Sequence, residues 1–283
     1  VLLPKGRYRV SDTIDLRSTT WVCGVSRSLS TIVAGASWTE SSLTPILRTP
    51  DDADARVILD SFGLQTQETA NLIYHLLWRS GRGSVFKDVS IGTDGPWPGA
   101  FDIPLQRIRI TGNGGGRWYN HLAGGHGDCM HEDCRILLVD GTSEPLAFYM
   151  YHHQYLKVGG GPLTEVRDAA NVTFYSQKTE TIIPGSEERH EDNFGTPWPI
   201  LMGIYNSENV TAYCAEGPSQ AEPGRGLYEI ADSTNVTLVN IGRRGTSTSA
   251  YYHESTWYLI SEDYLGSVTS IDATGFVGLF RRE

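Results

Sequence analysis

One phrase occurs three times in this chain of 283 residues. It reads Glu165-Val166-Arg167-Asp168-Ala169-Ala170-Asn171-Val172-Thr173-Phe174-Tyr175 at its first appearance. It returns as Gly203-Ile204-Tyr205-Asn206-Ser207-Glu208-Asn209-Val210-Thr211-Ala212-Tyr213, and again as Glu229-Ile230-Ala231-Asp232-Ser233-Thr234-Asn235-Val236-Thr237-Leu238-Val239. Each copy is a β-rich run, then Asp or Asn, two small or polar residues, Asn-Val-Thr and a second β-rich run. Self-similarity of this kind means stacked supersecondary units. The copies start 38 and 26 residues apart, so the unit is elastic and carries inserts. An elastic β-rich repeat with Asn at its corner predicts a parallel β-helix, in which each turn buries its inward face only by stacking on its neighbours. The Asn suits a tight corner: it tolerates the left-handed backbone conformation, and its amide can bond from one rung to the next.

Composition agrees with that architecture. The 31 Gly and 13 Pro suit many short strands and turns and argue against a helical bundle. A formal net charge of −10 without a long basic run argues against a nucleic acid or an anionic membrane as partner. It also weighs against a strongly anionic polymer unless a cation bridges the two. No apolar run reaches the ~20 residues of a membrane span. The chain begins at Val1, not Met, and the expectation is a segment upstream that has been removed. Four Cys in this length do not make a disulfide scaffold.

The opening reads as strands joined by turns. Val1 to Val10 gives a strand, a Pro-x-Gly turn and a second strand. Thr13-Ile14-Asp15-Leu16, Trp21-Val22-Cys23-Gly24-Val25 and Thr31-Ile32-Val33-Ala34-Gly35 continue the pattern. Pro-x-Gly-x-Tyr-x-Val, a Thr-Ile strand, a Gly-centred turn and a second Thr-Ile strand resemble the opening of pectate-lyase-like right-handed β-helix proteins. That superfamily includes polygalacturonase-related proteins, β-helix β-1,3-glucanases and phage tailspike depolymerases. The passage from Arg135 to Thr142, through Glu144 to Tyr149 and on to Lys178-Thr179-Glu180, is similar to bacterial members of it. The resemblance implies an all-β, single-stranded right-handed parallel β-helix. One domain over 1–283, lacking the helical cap that usually precedes the opening, is expected. It also implies a carbohydrate setting and a secreted or cell-surface location.

Between these landmarks, residues 41–56 are polar, hold two Pro and read as a loop. Glu68 to Trp78 reads as a short helix or an irregular insert. Arg56–Asp60, Ser84–Ile91 and Leu105–Ile110 read as strands, separated by rigid and Gly-rich turns such as Asn113-Gly114-Gly115-Gly116.

Alternation along the repeat turns Val166, Ile204 and Ile230 inward and Glu165, Gly203 and Glu229 outward. Stacking at ~4.8 Å would set Glu165 and Glu229 roughly 9.6 Å apart, with Gly203 between them leaving room for a sugar. Inverting glycosidases space their two carboxylates at roughly 6.5–9.5 Å, so a general acid and base fit there; so does a pair of solvated surface carboxylates. Arg167 and Tyr205 flank the position and could bind hydroxyls. Glu180 is the reserve catalytic carboxylate, with Lys178 two residues before it on the same strand face, either as its cation or as a surface ion pair. Trp78, Trp97, Trp118, Trp198 and Tyr119 read as loop or insert residues. Trp118 is the candidate sugar-stacking residue, because the Gly-rich chain before it lets backbone approach a ligand.

His126-Gly127-Asp128-Cys129-Met130-His131-Glu132-Asp133-Cys134 is dense in ligand-type side chains, but one short loop rarely supplies four zinc ligands. A Cys129–Cys134 disulfide or two thiols fit as well, and no metal or cofactor is expected. Gly125-His126-Gly127 is similar to a polygalacturonase signature, but the acidic motifs before it and the Arg-Ile-Lys after it are missing. The Asn-Val-Thr triplets are formal glycosylation acceptors, though a corner role explains all three better. The expected partner is a polysaccharide or oligosaccharide. Hydrolysis is favoured over β-elimination, since no calcium-and-arginine lyase set is visible. A non-catalytic adhesin or fibre subunit is the other reading, because fold does not imply activity.

Overall fold

Strands that alternate apolar and polar residues must bury one face, and here they do so against equivalent strands one coil turn away. The computed structural model describes all residues except 36, 68–71, 95–105, 125–134, 151, 156–161, 182–199, 215, 218–225, 244–257, 265–266 and 273–276. The described residues form β-strands, turns and bends, with no helix among them.

The chain coils in turns of three strands, one for each of three sheets. The first turns are β1 (Leu2–Leu3), β2 (Gly6–Val10) and β3 (Ile14–Asp15), then β4 (Trp21–Gly24), β5 (Ser30–Ala34) and β6 (Thr44–Arg48). They continue with β7 (Ile58–Asp60), β8 (Gly63–Gln67) and β9 (Ile73–Trp78), then β10 (Val85–Lys87), β11 (Ser90–Asp94) and β12 (Gln106–Thr111). Next come β13 (Gly116–Tyr119), β14 (Leu122–Gly124) and β15 (Arg135–Asp140), then β16 (Leu146–Tyr149), β17 (His152–Tyr155) and β18 (Pro162–Arg167). The repeat occupies the last turns: β19 (Ala170–Tyr175), β20 (Lys178–Thr181) and β21 (Ile200–Tyr205), then β22 (Glu208–Tyr213), β23 (Glu216–Gly217) and β24 (Gly226–Ala231). β25 (Thr234–Arg243) bends through a corner and serves both the first and the second sheet, while β26 (Tyr258–Tyr264) closes the third. Every pairing between turns is parallel. Two antiparallel strands end the stack, β27 (Ser267–Asp272) on β26 and β28 (Val277–Arg282) on β25. The parallel β-helix predicted from the repeat is the fold of the chain.

The corners explain the phrase. Asn171, Asn209 and Asn235 all have positive φ, 61°, 56° and 51°. Asn209 donates its side-chain amide to Asn171 Oδ1 at 3.2 Å, Asn235 donates to Asn209 Oδ1, and Asn171 donates to the Ser143 carbonyl at 2.9 Å. The three Asn thus stack in one column on consecutive rungs, as expected. A second left-handed position at Asp168, Asn206 and Asp232 completes the corner. The small residue after it is structural too: Ser207 Oγ accepts from the Ala169 amide, and Ser233 Oγ from the Ser207 amide.

The interior fills in columns. On the first sheet Phe86 stacks on Trp118 with ring centroids 4.1 Å apart, and Phe148 stacks on Phe174 at 4.8 Å. Val166, Ile204 and Ile230 are buried on the third sheet, as the alternation predicted. Each such side chain contributes ~1.5–3 kcal/mol by leaving water. His75 and His121 are buried with them, and desolvation lowers both pKa values to about 3.

Three expectations need correction. Residues 41–56 are not all loop, since Thr44–Arg48 is strand β6 between β3 and β9; Pro45 loses one ladder donor, but its carbonyl accepts from Thr13 Oγ1 at 2.7 Å. The segment ending at Trp78 is not helical where described. Ile73–Trp78 is strand β9, because Ile73, Leu76 and Trp78 find buried places between β6 and β12. Trp78, Trp118 and Tyr119 lie in strands instead of loops, and both Trp side chains are wholly buried. Trp118 packs between Phe86 and Phe148 and has no surface to offer a sugar. Trp97, Trp198 and the loop from His126 to Cys134 lie outside the described residues.

Candidate functional site

The outer face of the third sheet gathers the charged residues of the repeat. Parallel register puts Arg109, Leu138, Glu165, Gly203 and Glu229 level in one column. Thr111, Asp140, Arg167, Tyr205 and Ala231 form the column two residues further on. Glu165 and Glu229 therefore stand two rungs apart with Gly203 between them, as the sequence predicts.

Their surroundings differ from the expected open pair. The Glu165 side chain is only 5% exposed and ion-pairs with Arg135 Nε and, at 3.4 Å, with Arg167 Nη1. The Arg167 guanidinium also donates to Asp140 Oδ2 at 3.1 Å, and Arg109 donates to the same oxygen at 2.9 Å. Burial would raise the Asp140 carboxyl, but hydrogen bonds and charge from Arg167 and Arg109 outweigh it and hold the group below its ordinary value. The same contacts, led by the hydrogen bond to Asp140, raise Arg167. Arg109, Asp140, Arg167, Glu165 and Arg135 thus form one chain of alternating charge across β12, β15 and β18.

Gly203 does not leave an empty place for a sugar. A Cβ there would lie 2.5 Å from the Tyr205 ring, so the ring folds back over the glycine and fills the gap. From that position the Tyr205 hydroxyl donates to Glu229 Oε2 at 3.0 Å. Glu229 is half-buried, with its carboxylate oriented by a phenol. The face combines an accessible carboxylate, a neighbouring hydroxyl and two arginines, Arg109 and Arg167, whose side chains are 39% and 40% exposed. Such a set can move a proton at Glu229 and hold hydroxyl or carboxyl groups of a ligand at the arginines.

Lys178 and Glu180 lie in β20 of the second sheet, where Lys178 pairs with His152 and Glu216, and Glu180 with Gln154. They belong to a different sheet from Glu165 and Glu229. Arg135, Asp140 and Arg109 are the members that the sequence reading passed over. A signal was available: Arg135-Ile136-Leu137-Leu138-Val139-Asp140 is a further copy of the first run, and aligning it puts Asp140 level with Arg167. Among the described residues no group of three or more His, Cys, Asp or Glu is arranged to hold a metal.

No protein-family model matches the chain, and no curated protein does. Solved structures resemble it in fold. Tailspike protein 2 of Escherichia coli O157:H7 bacteriophage CAB120 shares 14% identity at a TM-score of 0.48, over 93% of this chain and 33% of its own. The gp42 tailspike of Acinetobacter phage vb_AbaP_AS12 shares 12% at 0.40, over 98% of this chain and 60% of its own. The catalytic unit of a GH87 α-1,3-glucanase from Streptomyces thermodiastaticus strain HF3-3 shares 11% at 0.27, over 100% of this chain and 65% of its own. The chain thus spans a third of the first and under two thirds of the others. Identities this low speak to fold alone, and these TM-scores carry no argument about activity.

Proposed function

We propose that this is a carbohydrate-active β-helix protein of the pectate-lyase-like kind, acting on a polysaccharide at a secreted or cell-surface location. The reaction is hydrolysis of a glycosidic bond along the outer face of the third sheet. Glu229 is the proton-transferring carboxylate, oriented by Tyr205. Glu165 is the second carboxylate, acting from beneath Arg167, with Arg167 and Arg109 as groups that hold the sugar. The observation that carries this reading is the level register of Glu165, Gly203 and Glu229, together with the Tyr205–Glu229 hydrogen bond on a half-buried face. Glu180, on the second sheet, is the reserve catalytic carboxylate, with Lys178 two residues before it in the same strand. Reducing-end release over a panel of neutral and acidic glycans tests the reading.

A non-catalytic carbohydrate-binding or fibre role is the second reading. One observation favours it: Arg135 and Arg167 already engage Glu165, which leaves Glu229 as the more accessible carboxylate of the pair. Binding without cleavage of any glycan in the panel would select it.

A further inference from the structure

A second face carries an arrangement that the third-sheet carboxylates do not use. Tyr119, Tyr149, Tyr175 and Tyr213 end β13, β16, β19 and β22 and are level by register. Their rings stack at 5.0, 4.8 and 5.2 Å with interplanar angles of 13°, 7° and 6°. That spacing is the rung spacing, so each inner ring is covered on both faces by its neighbours. The row therefore offers ring edges and hydroxyls to a ligand instead of a flat stacking surface.

Beside this row the first sheet is dented. Arg117, Ala147 and Thr173 form the outward column two residues before the tyrosines. The small Ala147 between two longer side chains leaves a concavity of about 390 Å³, lined by these three, Tyr149, Asn171 and Arg82. That volume lies at the small end of the ~300–1,000 Å³ range of ligand sites. Arg82 and Arg117 are exposed, and among the described residues neither guanidinium makes a hydrogen bond or ion pair. On the third sheet, by contrast, Arg48, Arg109, Arg135 and Arg167 are all paired with carboxylates. Two unpaired guanidinium forks at the rim of one dent, in a chain of net charge −10, form a local positive site on an acidic molecule.

A guanidinium fork matches a planar carboxylate in two parallel hydrogen bonds. The Thr173 and Tyr149 hydroxyls suit ring hydroxyls, and Ala147 suits the apolar face of a pyranose. The net negative charge disfavours a densely anionic chain, and screening over ~8 Å confines the attraction to a single anionic group near the arginines. We infer that this concavity is a binding subsite for a single saccharide residue that carries one carboxylate, held by Arg82 and Arg117. The inference rests on the carbohydrate reading above. It concerns a different sheet from Glu165 and Glu229, and its test needs no turnover.

The test is a ligand-observed NMR titration of the full chain with methyl glucuronide, set beside methyl glucoside and glucose 6-sulfate. The glucuronide is expected to bind in the millimolar range, and to weaken as salt is raised. It should bind ~5-fold or more tightly than either companion, and Arg82→Gln and Arg117→Gln should each weaken it by ~5-fold or more. Ala147→Phe, which fills the floor, should abolish binding, with Tm showing that each variant is folded. Glu229→Gln should leave this binding as it is, so a failure of catalysis and a failure of the subsite give different results. Equal binding of glucuronide and glucoside, no binding of the glucuronide, or folded arginine variants that bind as the parent does would overturn the inference. Sulfate bound as tightly as carboxylate would overturn the carboxylate assignment.

Discussion

The hydroxyl of Tyr205 donates to Oε2 of Glu229 across 3.0 Å, one rung away, while its ring covers the Cα of Gly203. Ring and hydroxyl have separable roles. Tyr205→Phe keeps the ring over the glycine and removes the hydrogen bond. Stability is expected to fall by only ~1 kcal/mol, since a typical net hydrogen bond contributes that much. Turnover of a cleaved glycan should fall by ~10-fold, because the phenol no longer orients the carboxylate. Unchanged turnover in Tyr205→Phe would make the contact purely structural.

The Asn column predicts a graded loss of stability. Asn209 accepts from Asn235, donates to Asn171 and sits at φ 56°. Asn209→Ala loses both bonds and strains the left-handed backbone, so ~2–3 kcal/mol is expected. Asn209→Gly loses the bonds alone and should cost less. Urea unfolding of the two variants separates the contributions, and equal losses would mean that the backbone conformation does not matter.

Buried histidines predict acid sensitivity well above the carboxylate range. His75 and His121 are neutral in the fold, with pKa values lowered to about 3 by desolvation. The unfolded chain takes up their protons near ~6.5, so it binds more protons than the fold between that pH and about 3. Their contribution is complete above ~6.5 and declines as pH falls, by up to ~1.4 kcal/mol per pH unit for each ring. In His121→Phe, whose ring would meet Phe86 and Trp118 as the imidazole does, the slope should fall by about half. Thermal melts from neutral to acidic pH read this directly, and a slope equal to the parent's would contradict it.

Asp140 works at lower pH. Its folded pKa is held below 3.8 by Arg167 and Arg109, so its contribution is present above the unfolded value and is lost as pH falls through the folded one. The stability difference between the parent and Asp140→Asn should be constant near neutrality and should shrink only below about pH 4. A difference that already shrinks between pH 7 and 5 would exclude this account.

What the sequence showed depended on how local each cause is. The Asn corner was legible because φ and ladder both act at one residue type repeated in register. Val166, Ile204 and Ile230 were legible because alternation is a local rule. Trp118 misled because the glycines before it suggested ligand access. Gly116 in fact has φ 98°, and a Cβ there would lie 2.3 Å from the Ser84 carbonyl oxygen, so the glycine serves rung-to-rung packing. The burial of Glu165 was hidden because its partner Arg135 stands 30 residues earlier, on the preceding rung. The tyrosine row had a signal, an apolar residue followed by Tyr at 118–119, 148–149, 174–175 and 212–213, which only the register turns into a stack.

The most direct measurement is reducing-end release from the glycan that the parent protein cleaves best, compared across the parent, Glu229→Gln and Glu165→Gln. The account predicts that both substitutions cut turnover by ~100-fold or more, while circular dichroism and Tm show an intact fold. Full turnover by folded Glu229→Gln and Glu165→Gln would contradict it and move the chemistry to another face, with Glu180 of β20 the next residue to replace.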